Sequence, residues 1–119
     1  MKLLRWIASS YDDLCALPNA ARRQIGYALY FAQKGSKHPS AKPLKGFQGA
    51  GVLEVVEDHD GDTYRAAYTV RFAQAVYVLH VFQKKSKTGI ATPRHDIELI
   101  KARLRAAADD ATQRRTDLN

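Results

Sequence analysis

The chain has one cysteine, Cys15, which excludes an internal disulfide and any zinc cluster built on several thiolates. On its own such a residue reads as a small, buried apolar group. Long hydrophobic runs are missing too. The longest, Val76 to Phe82, is rich in β-branched residues, is broken by His80 and is far too short to span a membrane as a helix. Met1 to Ile7 hold no extended apolar region and no small-residue cleavage site, so the expectation is a cytoplasmic chain with no membrane partner. There is no glycine-rich phosphate loop, no Ser or Cys triad pattern and no dinucleotide fingerprint. The turn Asp58-His59-Asp60-Gly61-Asp62 lacks the spacing and distant Glu of a calcium loop and reads as a solvated hairpin turn, so neither metal nor cofactor is expected.

Acid is scarce where base is plentiful. Lys and Arg number 19 against 12 Asp and Glu, a formal charge of +7 that favours partners rich in phosphate or carboxylate. From Thr63 to His95 the chain carries Arg65, Arg71, Lys84, Lys85, Lys87 and Arg94 and no acid. Lys34 to Ala50 adds Lys34, Lys37, Lys42 and Lys45, again without an acid. Five acids fall together instead between Glu54 and Asp62, where they should surround one hairpin end.

The length of 119 residues suits one domain, expected over 1–110 with a frayed polar tail at 111–119. Leu3 to Ile7 reads as a first strand, and Ser9 or Ser10 followed by Asp12 or Asp13 reads as a helix start leading into Leu14 and Leu17. Ala21, Ile25, Ala28, Leu29 and Ala32 recur at helical spacing between Pro18 and Gly35. The basic stretch 34–50, punctuated by Gly and Pro, reads as a loop. Three strands follow as an antiparallel meander. The second of them alternates, with Tyr64, Ala66, Tyr68, Val70 and Phe72 on one face and Arg65, Ala67, Thr69 and Arg71 on the other. The third, Val76 to Phe82, is apolar on both faces, as an interior strand would be. Thr92 is the expected N-cap of a last helix, with Pro93 at its first position and Ile97, Ile100, Leu104 and Ala107 on its apolar face.

Antiparallel pairing would set Arg65 beside the strand end where Lys84 and Lys85 leave the sheet. Arg65 is suited to hold a phosphate with its forked guanidinium, and an ion pair with Glu54 or Glu57 is its structural alternative. RNA cleavage without metal needs the 2′-hydroxyl deprotonated, the phosphorane charge held and the leaving 5′-oxygen protonated. Arg65 and Lys85 could hold the charge, and Lys84 could protonate the leaving group. His95, in the first turn of the last helix, is a further acid–base or RNA-contacting group, whereas His80 reads as a histidine of the sheet face.

Tyr64-Arg65-Ala66-Ala67-Tyr68, a hydrophobic strand, Phe82-Gln83-Lys84-Lys85-Ser86-Lys87, Thr92-Pro93 and a basic last helix together resemble the RelE/HigB-type toxins of bacterial toxin–antitoxin systems, in particular their phage-related branch. Lys42-Pro43-Leu44-Lys45-Gly46 is similar to that family's connection into its sheet. The resemblance implies an α+β fold: a RelE-like antiparallel sheet, made of the meander and the N-terminal strand, packed against N-terminal helices and followed by a C-terminal helix. It implies a ribosome-dependent, metal-independent endoribonuclease that cleaves mRNA in the ribosomal A site, inhibits translation and is held inactive by a cognate antitoxin, for instance a helix-turn-helix protein. Arg65, Lys84 and Lys85 would then be catalytic, with Lys42, Lys45, Lys87, Arg94 and His95 contacting RNA. Where many relatives carry a tyrosine or histidine just after the strand-end basic pair, this chain has Ser86, Lys87, Thr88, Gly89 and Ile90. A non-catalytic RNA-binding module and a protein-interaction domain with a basic face are the alternatives that the charge pattern leaves open.

Overall fold

The computed structural model describes residues 1–84 and 91–118. In chain order they form β1 (Leu3–Trp6), α1 (Ser10–Cys15), α2 (Asn19–Gln33), β2 (Ala41–Pro43), β3 (Val52–His59), β4 (Asp62–Thr69), β5 (Ala75–Lys84) and α3 (Arg94–Leu118). The strands make one five-stranded sheet in the order β1-β5-β4-β3-β2. The chain is thus an α+β domain, with α1 and α2 against one face of a mixed sheet and α3 against the other.

Periodicity explains the helical layer. Ala21, Ile25, Ala28, Leu29 and Ala32 are the buried residues of α2, the same five that recur at helical spacing in the sequence. They pack on Val55, Tyr64, Ala66, Tyr68, Val76 and Val78 of the sheet. The helix stops at Gly35, whose φ of +84° admits the left-handed turn. The Ser36 N–H then donates to the Phe31 carbonyl and the Gly35 N–H to that of Ala32, closing a Schellman motif. On the opposite face Ala67, Ala75, Tyr77 and Leu79 meet Ile100 and Ala107 of α3.

The β3–β4 hairpin turns on Asp60 and Gly61, both at positive φ, as a two-residue Asp-Gly connection requires. Side chains along β4 alternate as their pattern dictates: Tyr64, Ala66 and Tyr68 face α2, and Arg65 and Ala67 lie on the α3 side. The pairing of β4 with β5 contains one irregularity. Ala67 lies opposite His80, but Tyr68 lies opposite Val78, so Leu79 is an extra residue in β5. Before this bulge Ala75, Tyr77 and Leu79 point toward α3; beyond it His80, Phe82 and Lys84 do so instead of their odd-numbered neighbours. Without the extra residue, Lys84 would fall on the face that packs against α2.

Several expectations are corrected. The sheet is not wholly antiparallel, because β1 runs parallel to β5 in the register Leu3↔Ala75 to Trp6↔Val78. The stretch read as a loop holds β2, an edge strand of only three residues paired with β3. Phe72 leaves the Tyr64 face, since β4 ends at Thr69, and packs edge to face on Tyr77 at 5.4 Å on the α3 side. Cys15 is exposed, because in the short α1 it is Ser10 and Leu14, one turn apart, that face the sheet. The polar segment expected to fray after residue 110 continues α3 to Leu118, stitched at its surface by Arg114–Asp110 and Gln113–Asp117 contacts at i,i+4 spacing. Thr92 is not a cap: the Ile97 N–H donates to the carbonyl of Pro93, so α3 begins at Arg94 and the Thr92 hydroxyl is used elsewhere.

Candidate nucleic-acid interface

The bulge in β5 and the pairing of three strands gather charge at one end of the sheet, on the side of α3. Cross-strand neighbours there are Lys42 with Glu54, Glu54 with Ala67, Val56 with Arg65, Arg65 with Phe82 and Thr63 with Lys84. Residues directly opposite in such a ladder share a face. Arg65 and Lys84, nineteen positions apart in the chain, are therefore brought onto one surface.

That surface is held by a closed set of hydrogen bonds. Arg65 Nη1 donates to Glu54 Oε1 at 3.0 Å and to Thr92 Oγ1 at 3.2 Å, and the Thr92 hydroxyl donates to Glu54 Oε2 at 2.5 Å. Arg65 takes the ion pair with Glu54 that its sequence position allowed. Both groups are almost fully withdrawn from water, with side-chain exposures of 5% and 10%. Such a pair has lost much of its hydration, and it is the third partner, Thr92, that satisfies the remaining carboxylate oxygen. One donor stays unmatched: among the described residues the buried Arg65 Nε has no hydrogen-bond partner. An unmatched buried N–H typically costs about 1–3 kcal/mol. Lys84 is buried as well, and its ammonium donates to the Ala91 carbonyl at 2.7 Å. Residues 91 and 92, just before α3, thus close over both cations.

A second polar cluster lies next to the first. His80 stacks on Phe82, with ring centroids 4.5 Å apart and planes 13° from parallel. Its Nε2 is 2.8 Å from Asp96 Oδ1, and its Nδ1 is 3.3 Å from Arg103 Nη1, which also donates to the Leu79 carbonyl. A guanidinium can only donate, so Nδ1 accepts and the ring proton on Nε2 goes to Asp96. Burial pulls the His80 imidazole below the ordinary histidine range, Arg103 acts in the same direction, and Asp96 and the more distant Asp13 oppose it. The bulged segment is thereby tied to the first three turns of α3 by a neutral histidine.

This gives a pH dependence with a definite sign. The unfolded chain takes up the His80 proton near the ordinary value of 6.5, before the folded chain does, so stability is full above that pH and falls as the pH drops below it. Urea midpoints at pH 7.5 and 5.5 should differ more for the wild type than for His80→Gln. Equal pH dependence in the two proteins would place the titrating group elsewhere.

Of the residues singled out from sequence, Arg65 and Lys84 converge. Lys42 is exposed on the edge strand opposite Glu54 and belongs to the same face. Arg94 and His95 are exposed at the start of α3, without hydrogen bonds to the cluster among the described residues, whereas Lys45 is exposed near Val52 and Val70, toward the other end of β3 and β4. Lys85 and Lys87 lie outside the described residues. Sequence position offers Glu54 and Glu57 alike as partners of Arg65, and the structure takes Glu54; Thr92 is the member of this cluster that sequence reasoning missed. A threonine before Pro93 has the signature of a cap, which masks any other use of its hydroxyl. The Asp96–His80–Arg103 contact was missed too, and a histidine with an acid at the start of the next helix was its only trace.

The sequence profile of the family described as "Phage derived protein Gp49-like (DUF891)" matches residues 12–105, a stretch that runs from α1 into the middle of α3 and includes Glu54, Arg65, Lys84 and Thr92. No curated protein matches the chain. With four-fifths of its residues under that profile and the whole of the candidate interface inside it, the chain belongs to the phage-derived Gp49-like family.

Proposed function

We propose that this protein is a metal-independent endoribonuclease that cuts messenger RNA in the ribosomal A site, acting in the cytoplasm as the toxin of a toxin–antitoxin pair. The family assignment names no activity, so the reading rests on the site and on the likeness to RelE/HigB-type toxins, whose fold the mixed sheet with its three helices would vary. The observation that carries it is the convergence of Arg65 and Lys84 on one sheet face, with the exposed Lys42 on the same face two strands from Arg65. Among these groups the charges are three positive and one negative, a local excess suited to a phosphodiester.

The cleavage follows from ordinary phosphodiester chemistry. The 2′-hydroxyl oxygen attacks phosphorus, the bond to the 5′-oxygen breaks, and the products are a 2′,3′-cyclic phosphate and a 5′-hydroxyl. Arg65 would hold the charge that develops on the phosphorane oxygens, with its unmatched Nε–H available as one donor. Lys84, with Lys85 after it in sequence, would hold charge and donate its ammonium proton to the leaving oxygen, while the 2′-hydroxyl loses its proton to solvent water and the Lys84 amine is reprotonated from solvent. Lys42, Lys45, Lys87, Arg94 and His95 would position the strand. For an RNA phosphate to reach Arg65, it must replace the contacts now made by Thr92, a neutral group that yields more easily than a second carboxylate.

One observation favours a second reading. Arg65 and Lys84 are both buried and internally hydrogen-bonded, as charges with a purely structural role often are. The protein would then be an RNA-binding module without catalysis. Induced expression with mapping of mRNA 5′ ends separates the two. For the nuclease, wild-type induction arrests growth and creates new ends within translated messages, while Lys84→Ala lowers their yield about 10²–10³-fold. Salt-dependent RNA binding with intact messages in wild-type cells would establish the binding module and sink the nuclease.

A further inference from the structure

A cleft of about 460 Å³ opens at the other end of the sheet, between the last turns of α3 and the start of β1 and β5. Its position is about 23 Å from Lys84, counting strand rise from Tyr77, so it is no part of the interface described above. The apolar part of its wall comes from Leu3, Phe72 and Ala75, and the cationic part from Arg5, Arg114 and Arg115. Leu3 is 56% exposed, an apolar side chain on the rim with nothing over it. The acid at the cleft, Asp110, is already engaged: it accepts from the Tyr77 hydroxyl at 2.6 Å and from Arg114 Nε at 2.8 Å. Those two donors hold the Asp110 carboxyl below the usual carboxylate range. Among the described residues neither Arg5 nor Arg115 makes an ion pair.

The cleft borders an unpaired backbone. Among the described residues β1 is an edge strand, joined to β5 on one side only. The N–H groups of Leu3 and Ile7 turn inward to the carbonyls of Gln74 and Val78, so by alternation those of Leu4 and Trp6 turn outward. Apolar wall, two arginines without carboxylates and an open strand edge lie side by side, and an extended peptide is the ligand that uses all three. Nucleic acid would use the arginines alone, since the Tyr77 ring is buried in the floor and offers no face for a base.

We propose that this cleft docks an acidic, partly apolar segment of a partner protein, laid along the free edge of β1 with its carboxylates on Arg5 and Arg115 and an apolar side chain against Leu3 and Phe72. The inference is independent of what the Arg65–Lys84 face does. A partner bound here leaves that face uncovered.

The test uses the full chain and a fluorescein-labelled synthetic peptide that alternates Glu with Leu, followed by anisotropy at about 0.15 M salt so that long-range attraction is screened. Binding by the wild type, weakened about tenfold or more in Arg5→Glu/Arg115→Glu and largely kept in Arg5→Lys/Arg115→Lys, supports the site. Amide shifts confined to β1 and the last turns of α3 would support it further, and circular dichroism verifies that the variants fold. The proposal is overturned if the peptide does not bind, or binds the charge-reversed variant equally well. Equal binding of a peptide with Ser in place of Leu also overturns it, as does displacement by an RNA oligonucleotide or by anionic phospholipid vesicles, either of which would mark a general polyanion surface.

Discussion

Replacing Glu54 by Ala should destabilise the fold by about 3–5 kcal/mol, because it leaves the Arg65 guanidinium buried without a counter-charge. A domain of this size has a total stability of only about 5–15 kcal/mol, so the change removes a large share of it. Thr92 loses its acceptor in the same step, since its hydroxyl donates to the second Glu54 oxygen. The double variant Glu54→Leu/Arg65→Met should be far less damaged than Glu54→Ala, as the desolvation of both charges disappears together. Urea unfolding of the two proteins measures this directly. If Glu54→Ala unfolds like the wild type, Arg65 has found another partner and the network is not closed as drawn. The comparison also separates fold from the proposed nuclease activity, because under that proposal the double variant should stand but give no cleavage of RNA.

Ile100→Ala should cost about 2–5 kcal/mol, the range for removing most of a fully buried aliphatic side chain. Its effect should be greater than the size of the residue suggests for the helix that bears it. Among the described side chains of α3 Ile100 and Ala107 are the fully buried ones, and Ile97, Leu104 and Ala111 are only partly covered. In contrast α2 has five buried residues to hold it. Hydrogen exchange should therefore show the amides of α3 opening well before those of α2 in Ile100→Ala. Loss of protection spread evenly over both helices would mean that the two layers unfold as one unit. Asp96 and Arg103 sit within one turn of Ile100, so a loosened α3 should also release His80.

What the sequence disclosed follows the reach of each signal. Helical spacing identified the buried face of α2, and alternation identified the two faces of β4, since both are periodic over many residues. An Asp-Gly pair between two strands marked the hairpin turn. The direction of β1 was not legible, because a hydrophobic pattern carries no sign and the partner strand lies far along the chain. β2 was hidden by its length of three residues and by Pro43 within it. The meeting of Arg65 with Lys84 was legible from antiparallel pairing, but the bulge that turns Lys84 to the correct face was not, as Leu79 follows Val76, Tyr77 and Val78 in one apolar run with nothing local to mark it. Thr92 shows the same limit: beside Pro93 a local signal favours a cap, whereas two partners distant in sequence, Glu54 and Arg65, recruit the hydroxyl instead.

The pairing of β1 with β5 also bears on how the protein is made. Leu3 lies beside Ala75, so β1 leaves a ribosome well before the neighbour it pairs with and must wait for it. At synthesis rates of roughly 5–20 residues per second, that delay is about 4–14 s. During it, α1 and α2 can form, but they lack most of the sheet that they will cover. The meander from β3 to β5 closes over short connections and can assemble as soon as it emerges, whereas docking of β1 closes the longest loop in the sheet and should come late. The nascent chain therefore keeps a hydrophobic edge open until its middle third has been translated.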